Sequence, residues 1–223
     1  MKYSSSKEDY LKAIYHLQAQ DGVVSTNELA GELQTRAASV TDMLKKLKGQ
    51  KLLNYEPYKG FRLSSEGRKV AVQVVRKHRL WEYFLVEKLN FQWDEVHEIA
   101  EELEHISSRK LIDRLDEFLG YPKTDPHGDP IPDSSGKLEH AQQIPLTDLP
   151  PHIHAQVSGI GDQSTDMLEM LRHKNIKPGA WIEIRKKFNY DGSLELKIRN
   201  APVVTISGQA AKNIFVKHEK QAD

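Results

Sequence analysis

The apolar positions change period once along the chain. Up to about residue 120 they recur at helical spacing, and after about residue 150 they alternate. Tyr10, Ile14 and Leu17, with Leu11 and Tyr15 beside them, form one stripe over residues 7–19 that stops at Asp21-Gly22. Ser25-Thr-Asn-Glu28 has the spacing in which a serine hydroxyl and a glutamate carboxylate each satisfy an orphan amide, and it opens a short helix to Leu33. Thr35 precedes a third helix in which Val40, Leu44 and Leu47 recur at i, i+4 and i+7 before Gly49. Residues 52–56 and 61–63 are short β-like runs joined by Pro57-Tyr-Lys-Gly60, which reads as a hairpin. Ser64-Ser65 then caps a helix to about Lys88, and two more helices are expected over residues 93–106 and 108–119.

Beyond residue 150 the runs at 181–185, 194–198 and 203–206 alternate as strands, and a short helix is expected over residues 165–173. A barrel of about five strands, of SH3-like size, is the natural closure for that length. Seven of the ten prolines fall between Pro122 and Pro151 and read as a linker, because proline continues neither a helix nor a central strand. The expected fold is mainly α with a little β: a winged helix-turn-helix over residues 1–64, a helical domain over 65–120, a Pro-rich linker over 121–150 and an SH3-like domain over 151–219.

The net charge is zero, which conceals a polarised layout. Residues 1–88 carry 16 Lys+Arg against 10 Asp+Glu, residues 89–145 carry 5 against 13, and residues 146–223 carry 11 against 9. A basic head suits a polyanion and an acidic middle suits cations. Cysteine is absent, so disulfides, thiolate nucleophiles and thiolate metal sites are excluded. With no signal-like segment and no run of eighteen apolar residues, a cytoplasmic protein without a membrane partner is expected.

In a helix-turn-helix the second helix must bury one face and offer small or hydrogen-bonding side chains to the major groove. With Val40, Leu44 and Leu47 inward, Arg36, Ala38, Ser39 and Asp42 face the groove, and Thr41, Lys45 and Lys46 face phosphates. Lys59 and Arg62 on the hairpin would reach a neighbouring phosphate or the minor groove. In the acidic middle, His97, Glu101, Glu104 and His105 are spaced to share one helical stripe, and His78 and Glu82 repeat the i, i+4 relation on the preceding helix. Carboxylates grouped in this way repel one another unless a cation lies among them. The stretch is not a zincin motif, since Glu101 stands where HExxH needs its second histidine. A metallohydrolase is disfavoured because every candidate ligand is needed to fill the site, leaving no general base.

Four stretches carry a resemblance: Glu8-Asp9-Tyr10-Leu11 with Ile14-Tyr15, Arg76-Lys77-His78-Arg79-Leu80 with Glu82, Val96-His97 with Glu101 and Glu104-His105, and Pro126-His-Gly-Asp-Pro-Ile-Pro132. In this order the chain resembles the DtxR/MntR family of metal-dependent bacterial repressors. The resemblance implies a primary site of Asp9, Glu101, Glu104 and His105, a second site of His78, Glu82 and His97, and a C-terminal FeoA-like domain. Iron-type members carry sulfur at the positions of Asp9 and Glu101; oxygen at both matches the manganese branch better. Lys12 stands where that branch often has a glutamate. The implied protein is a homodimeric repressor of metal-uptake genes on a palindromic operator in double-stranded DNA, sensing Mn(II), or alternatively Fe(II), with one or two ions per subunit. Leu80, Trp81, Phe84, Leu85 and Leu89 are candidates for the partner surface. The competing reading is a metal-independent winged-helix regulator whose acidic helix is merely solvated.

Overall fold

A computed structural model of the chain describes residues 3–56, 60–139 and 142–218. The fold divides into two units, one made of Met1–Trp81, Ile99–Tyr121 and Ile131–Leu138, the other of Glu82–Glu98, Pro122–Pro130 and Glu139–Asp223.

The first unit begins with α1 (Ser5–Asp21), α2 (Thr26–Glu32) and α3 (Ala37–Gly49). Gly22 ends α1 in the left-handed region, φ 77°, where its N–H reaches the Gln18 carbonyl. The reciprocal cap on α2 forms as its spacing predicts, with Ser25 Oγ accepting from the Glu28 N–H and Glu28 accepting from the Ser25 N–H. Leu11, Ile14, Leu29, Val40, Leu44 and Leu47 are buried together, and each contributes about 1.5–3 kcal/mol by leaving water. Strands β1 (Leu53–Glu56) and β2 (Gly60–Leu63) form the antiparallel wing, in register Leu53 to Leu63. Phe61 exchanges backbone hydrogen bonds of 2.8 and 2.9 Å with Val24, pinning the wing to the turn between α1 and α2. Only glycine fits at residue 60: φ is 137° and a Cβ would lie 2.3 Å from the Val24 carbonyl oxygen.

Helix α4 (Ser65–Leu89) follows, with Ser64 Oγ accepting from the Gly67 N–H at its start. Then come α5 (Val96–Leu103) and α6 (Arg109–Phe118), the latter capped by Ser108. Helix α5 is shorter than the apolar period suggests. At its end Ile106 N–H turns to the Leu103 carbonyl, an i→i−3 bond, so Glu104 and His105 stand on a tightened turn and not on a continuing helix. The chain itself buries Leu80, Trp81 and Leu85, leaving Leu89 exposed; Phe91 after α4 and Leu111, Phe118 and Tyr121 on and beside α6 are exposed as well.

The second unit is built on β3 (Ile144–Pro145), β4 (His154–Ile160), β5 (Trp181–Lys187), β6 (Leu194–Ile198), β7 (Val204–Ile206) and β8 (Ile214–Lys217). They form one antiparallel sheet in the order β3-β8-β4-β5-β6-β7. Helices α7 (Thr165–His173) and α8 (Gly208–Lys212) complete it. Edge strands β3 and β7 are not paired with each other, so the described strands make an open six-stranded sheet and not a closed five-stranded barrel. Strand β3 is two residues long and contains a proline, which has no N–H to donate to a closing ladder. The Pro-rich stretch supplies buried side chains to both units, Ile131 to the first and His127, Leu146 and Leu149 to the second. No described helix is long and apolar enough to cross a membrane.

Candidate metal centres and DNA-contact helix

In the first unit, α1 and the turn after α5 bring Asp9, Glu104 and His105 together, with one ligand-type atom of each within 4.8 Å of the others. His105 Nδ1–H donates to Glu8 Oε2 at 2.9 Å, and that carboxylate lies 3.4 Å from Lys77 Nζ on α4. His105 Nε2 then faces Asp9 Oδ1, 3.0 Å away. Two lone pairs at that distance repel, so a proton or a metal ion belongs between them. Glu8 was not among the sequence-predicted residues; its signal was its place beside Asp9 in the first turn.

Glu104 is the buried centre of this group. His78 Nδ1–H donates to its Oε2 at 2.7 Å, and Lys12 Nζ lies 2.8 Å from both carboxylate oxygens, though only its approach to Oε2 has hydrogen-bond geometry. Burial works to raise the Glu104 pKa, but the His78 hydrogen bond and the Lys12 charge outweigh it and hold the carboxyl below its ordinary value. Asp9 goes the other way: burial raises it, with the neighbouring carboxylates adding to the rise and His105 and Lys12 opposing it. Glu101 joins the group through Lys12 Nζ, at 3.3 Å.

In the second unit a different set converges. Glu82, Asp125 and His127 are all buried, with ligand-type atoms within 4.8 Å of one another. Glu82 Oε1 lies 3.4 Å from His97 Nδ1, and Glu82 Oε2 lies 3.6 Å from His127 Nδ1. His127 Nε2–H donates to the Trp93 carbonyl at 2.8 Å, which fixes the ring as a hydrogen bond to the far nitrogen fixes a metal-ligating histidine. Its Nδ1 is buried and has no hydrogen-bond partner. Burial works against protonation of His127, yet the Glu82 carboxylate raises its pKa. Asp125 Oδ1 accepts the His127 and Asp129 amides at 2.8 and 3.0 Å, closing the turn that presents both side chains. Gly128 lets this turn reach β4: φ is 92° and a Cβ would lie 2.0 Å from the Ser158 carbonyl oxygen. The Pro126-His-Gly-Asp-Pro130 run carries part of the resemblance without assigning Asp125 or His127 a role; the signal for them is an Asp-x-His pair inside a proline- and glycine-rich turn.

Both clusters fit a divalent cation. Each combines carboxylate oxygen with an imidazole that has one nitrogen pinned by a hydrogen bond and the other aimed at a carboxylate. Neither contains sulfur, in keeping with a chain that has no cysteine.

On α3, Val40, Leu44 and Leu47 are buried, and Arg36, Ala38, Ser39, Thr41, Asp42, Lys45 and Lys46 are exposed, as the helical period requires. Thr41 Oγ1 donates back to the Ala37 carbonyl at 2.9 Å and Lys45 lies 3.6 Å from Asp42, so these two side chains are partly engaged on their own helix. Arg62 is exposed on the wing, while Lys59 lies outside the described residues. Asp9 lines the same cleft, about 550 Å³, as Ser39, Asp42 and Lys46.

Comparison with known proteins bears on both sets of residues. Residues 2–61 match the iron dependent repressor N-terminal DNA binding domain, and residues 64–133 match the iron dependent repressor metal binding and dimerisation domain. Residues 144–218 match the FeoA domain. The chain is 36% identical over 120 residues to the HTH-type transcriptional regulator MntR of Oceanobacillus iheyensis, covering 54% of this chain and 81% of the relative. The chain belongs to the DtxR/MntR family. As a member it is a metal-dependent transcriptional repressor, with a DNA-binding domain and a dimerisation domain. Another DtxR/MntR relative, the iron-dependent repressor IdeR of Mycobacterium leprae, is 28% identical over 189 residues, which is 79% of this chain and 82% of the relative. Among solved family structures, a manganese-dependent transcriptional repressor in complex with manganese superposes with a TM-score of 0.83 at 33% identity, covering 95% of this chain and 99% of that one.

Proposed function

We propose that this repressor senses Mn(II) and, when loaded, binds a palindromic operator as a homodimer in the cytoplasm, controlling metal-uptake genes. Residues 1–64 would contact DNA, residues 65–120 would bind metal and dimerise, and residues 151–219 would form the FeoA-like domain, joined by the 121–150 stretch. One observation carries the reading. Asp9 belongs to α1 of the DNA-binding head, whereas Glu104 and His105 stand at the end of α5, so an ion shared by the three fixes the head against the helices that follow it. The bound ion supplies a double positive charge that all three ligands can share. Glu8 orients His105, His78 orients Glu104, and Lys77 neutralises Glu8. If metal favours the DNA-competent arrangement, operator DNA must tighten metal binding by the same factor.

The oxygen-rich donor set is the reason for choosing Mn(II) over Fe(II). Glu82, Asp125 and His127, with His97 3.4 Å from Glu82, are assigned to a centre of their own, beside the His78, Glu82 and His97 set that the resemblance implies. The exposed Leu111, Phe118 and Tyr121 support a partner surface on α6. Operator affinity measured by gel shift, with chelator and then with buffered Mn(II) and Fe(II) in turn, tests the proposal. Equal affinity in all three conditions would overturn it.

A further inference from the structure

The first-unit centre contains a cation of its own. Lys12 lies one turn beyond Asp9 on α1, and its side chain is 13% exposed where Glu104 is fully buried. Its Nζ is 2.8 Å from the Glu104 carboxylate and 3.3 Å from Glu101 Oε1, so the two carboxylates that another ion would have to share are already joined by an ammonium. The remaining oxygen and nitrogen groups are committed elsewhere: His78 donates to Glu104, and Glu8 is tied to His105 and Lys77.

We propose that Lys12 is a specificity-determining residue of this centre: its tethered ammonium limits the cluster to a single divalent ion and weakens the hold on that ion. The inference rests on the metal role proposed for Asp9, Glu104 and His105. Charge decides it. Asp9, Glu101 and Glu104 supply three negative charges when ionised; Lys12 cancels one and a single dication the other two. A second dication would leave the half-buried group with two uncompensated positive charges, which is costly where solvent screening is weak. The same ammonium bridges α1 to α5 before any metal arrives, so part of the cross-link between these helices is permanent.

The test counts ions and does not rely on repression. In the full chain carrying Glu82→Gln, so that the second centre is disabled, Mn(II) is titrated calorimetrically into the parent and into Lys12→Glu, Lys12→Met and His105→Ala. Lys12→Glu is expected to bind one more Mn(II) per chain than its parent. Lys12→Met is expected to keep the parent's count and bind roughly tenfold tighter, the scale of removing one like charge from a partly screened site. An unchanged count in a folded Lys12→Glu, or an unchanged affinity in Lys12→Met, overturns the proposal; if Lys12→Glu does not fold, Lys12→Met decides alone. His105→Ala separates the two levels of the argument. If it binds Mn(II) as the parent does, the metal assignment itself has failed and the Lys12 proposal falls with it. If it loses the ion while the Lys12 variants behave as the parent, only the role of Lys12 is lost.

Discussion

The cluster of the first unit is assembled from α1 and the turn after α5 and stays partly open, whereas that of the second is built on a backbone turn that carries Asp125 and His127 to the buried Glu82. Asp9 and His105 side chains are 40% and 21% exposed, while those of Glu82 and His127 are 1% and 0% exposed. An imidazole oriented by another side chain, as His105 is by Glu8, moves when α1 moves. One oriented by a backbone carbonyl, as His127 is by Trp93, moves only if the turn opens. The difference suits the first cluster to report the position of the DNA-binding head and the second to hold a fixed structure. The second cluster lies against a hydrogen-bonded turn that supplies two amides to Asp125.

The sharpest way to break this comparison is to damage each cluster and read operator affinity. Asp9→Asn is expected to remove the Mn(II)-dependent gain in DNA binding, a loss of about a hundredfold or more, whereas His127→Ala is expected to cost no more than about tenfold. Gel shifts with buffered Mn(II) give both numbers, and equal losses would erase the distinction between switch and anchor.

Next in size is Gly128→Ala. The new Cβ meets the Ser158 carbonyl and the backbone keeps its positive φ, so the second unit should lose ~2 kcal/mol or more. Denaturation followed at both units would locate the loss. A loss confined to the first unit would contradict the closed-turn account.

Lys46→Ala sharpens the comparison from the DNA side. Lys46 lines the same cleft as Asp9 and belongs to α3, which carries none of the proposed ligands. Operator affinity should fall roughly fivefold with and without metal, and the salt slope should drop by about one, with Mn(II) affinity unchanged. A Lys46→Ala defect seen only in the presence of Mn(II) would mean that Lys46 belongs to the switch.

The smallest effect is on acid stability of the metal-free chain. The Glu104 pKa is held below its ordinary value, so its contribution to folding is present above about pH 4.5 and is lost as pH falls through the lowered value. The Asp9 pKa is raised, so its contribution runs the opposite way: present below about pH 3.8 and lost as pH rises through the folded value. Thermal melts between pH 7 and pH 3 should therefore show an acid loss that Glu104→Gln reduces and Asp9→Asn does not.

The order of the helices and the wing was legible in the sequence because each carries a local signal. The period of Val40, Leu44 and Leu47, the Ser25–Glu28 cap and the glycine at the end of α1 are decided within one or two turns of chain. The resemblance also placed Asp9, Glu104 and His105 in one site, and the structure brings those three together. Strands β4 and β8 were not foreseen: β4 mixes Gln156, Ser158 and Gly159 into its alternation, and β8 is four residues long. Partners distant in the chain decide such strands, as Val157 pairs with Val216.

Local spacing determined which residues could be helices, caps, groove-facing side chains and ligands, because those depend on neighbours three or four positions away. Only the tertiary structure decided which partners each of these side chains meets. It sent His78 to Glu104, brought Glu82 to His127 across 45 residues, and put the Lys12 ammonium between Glu101 and Glu104. Electrostatic partnership depends on distance in space and on burial, and no periodicity along the chain encodes either.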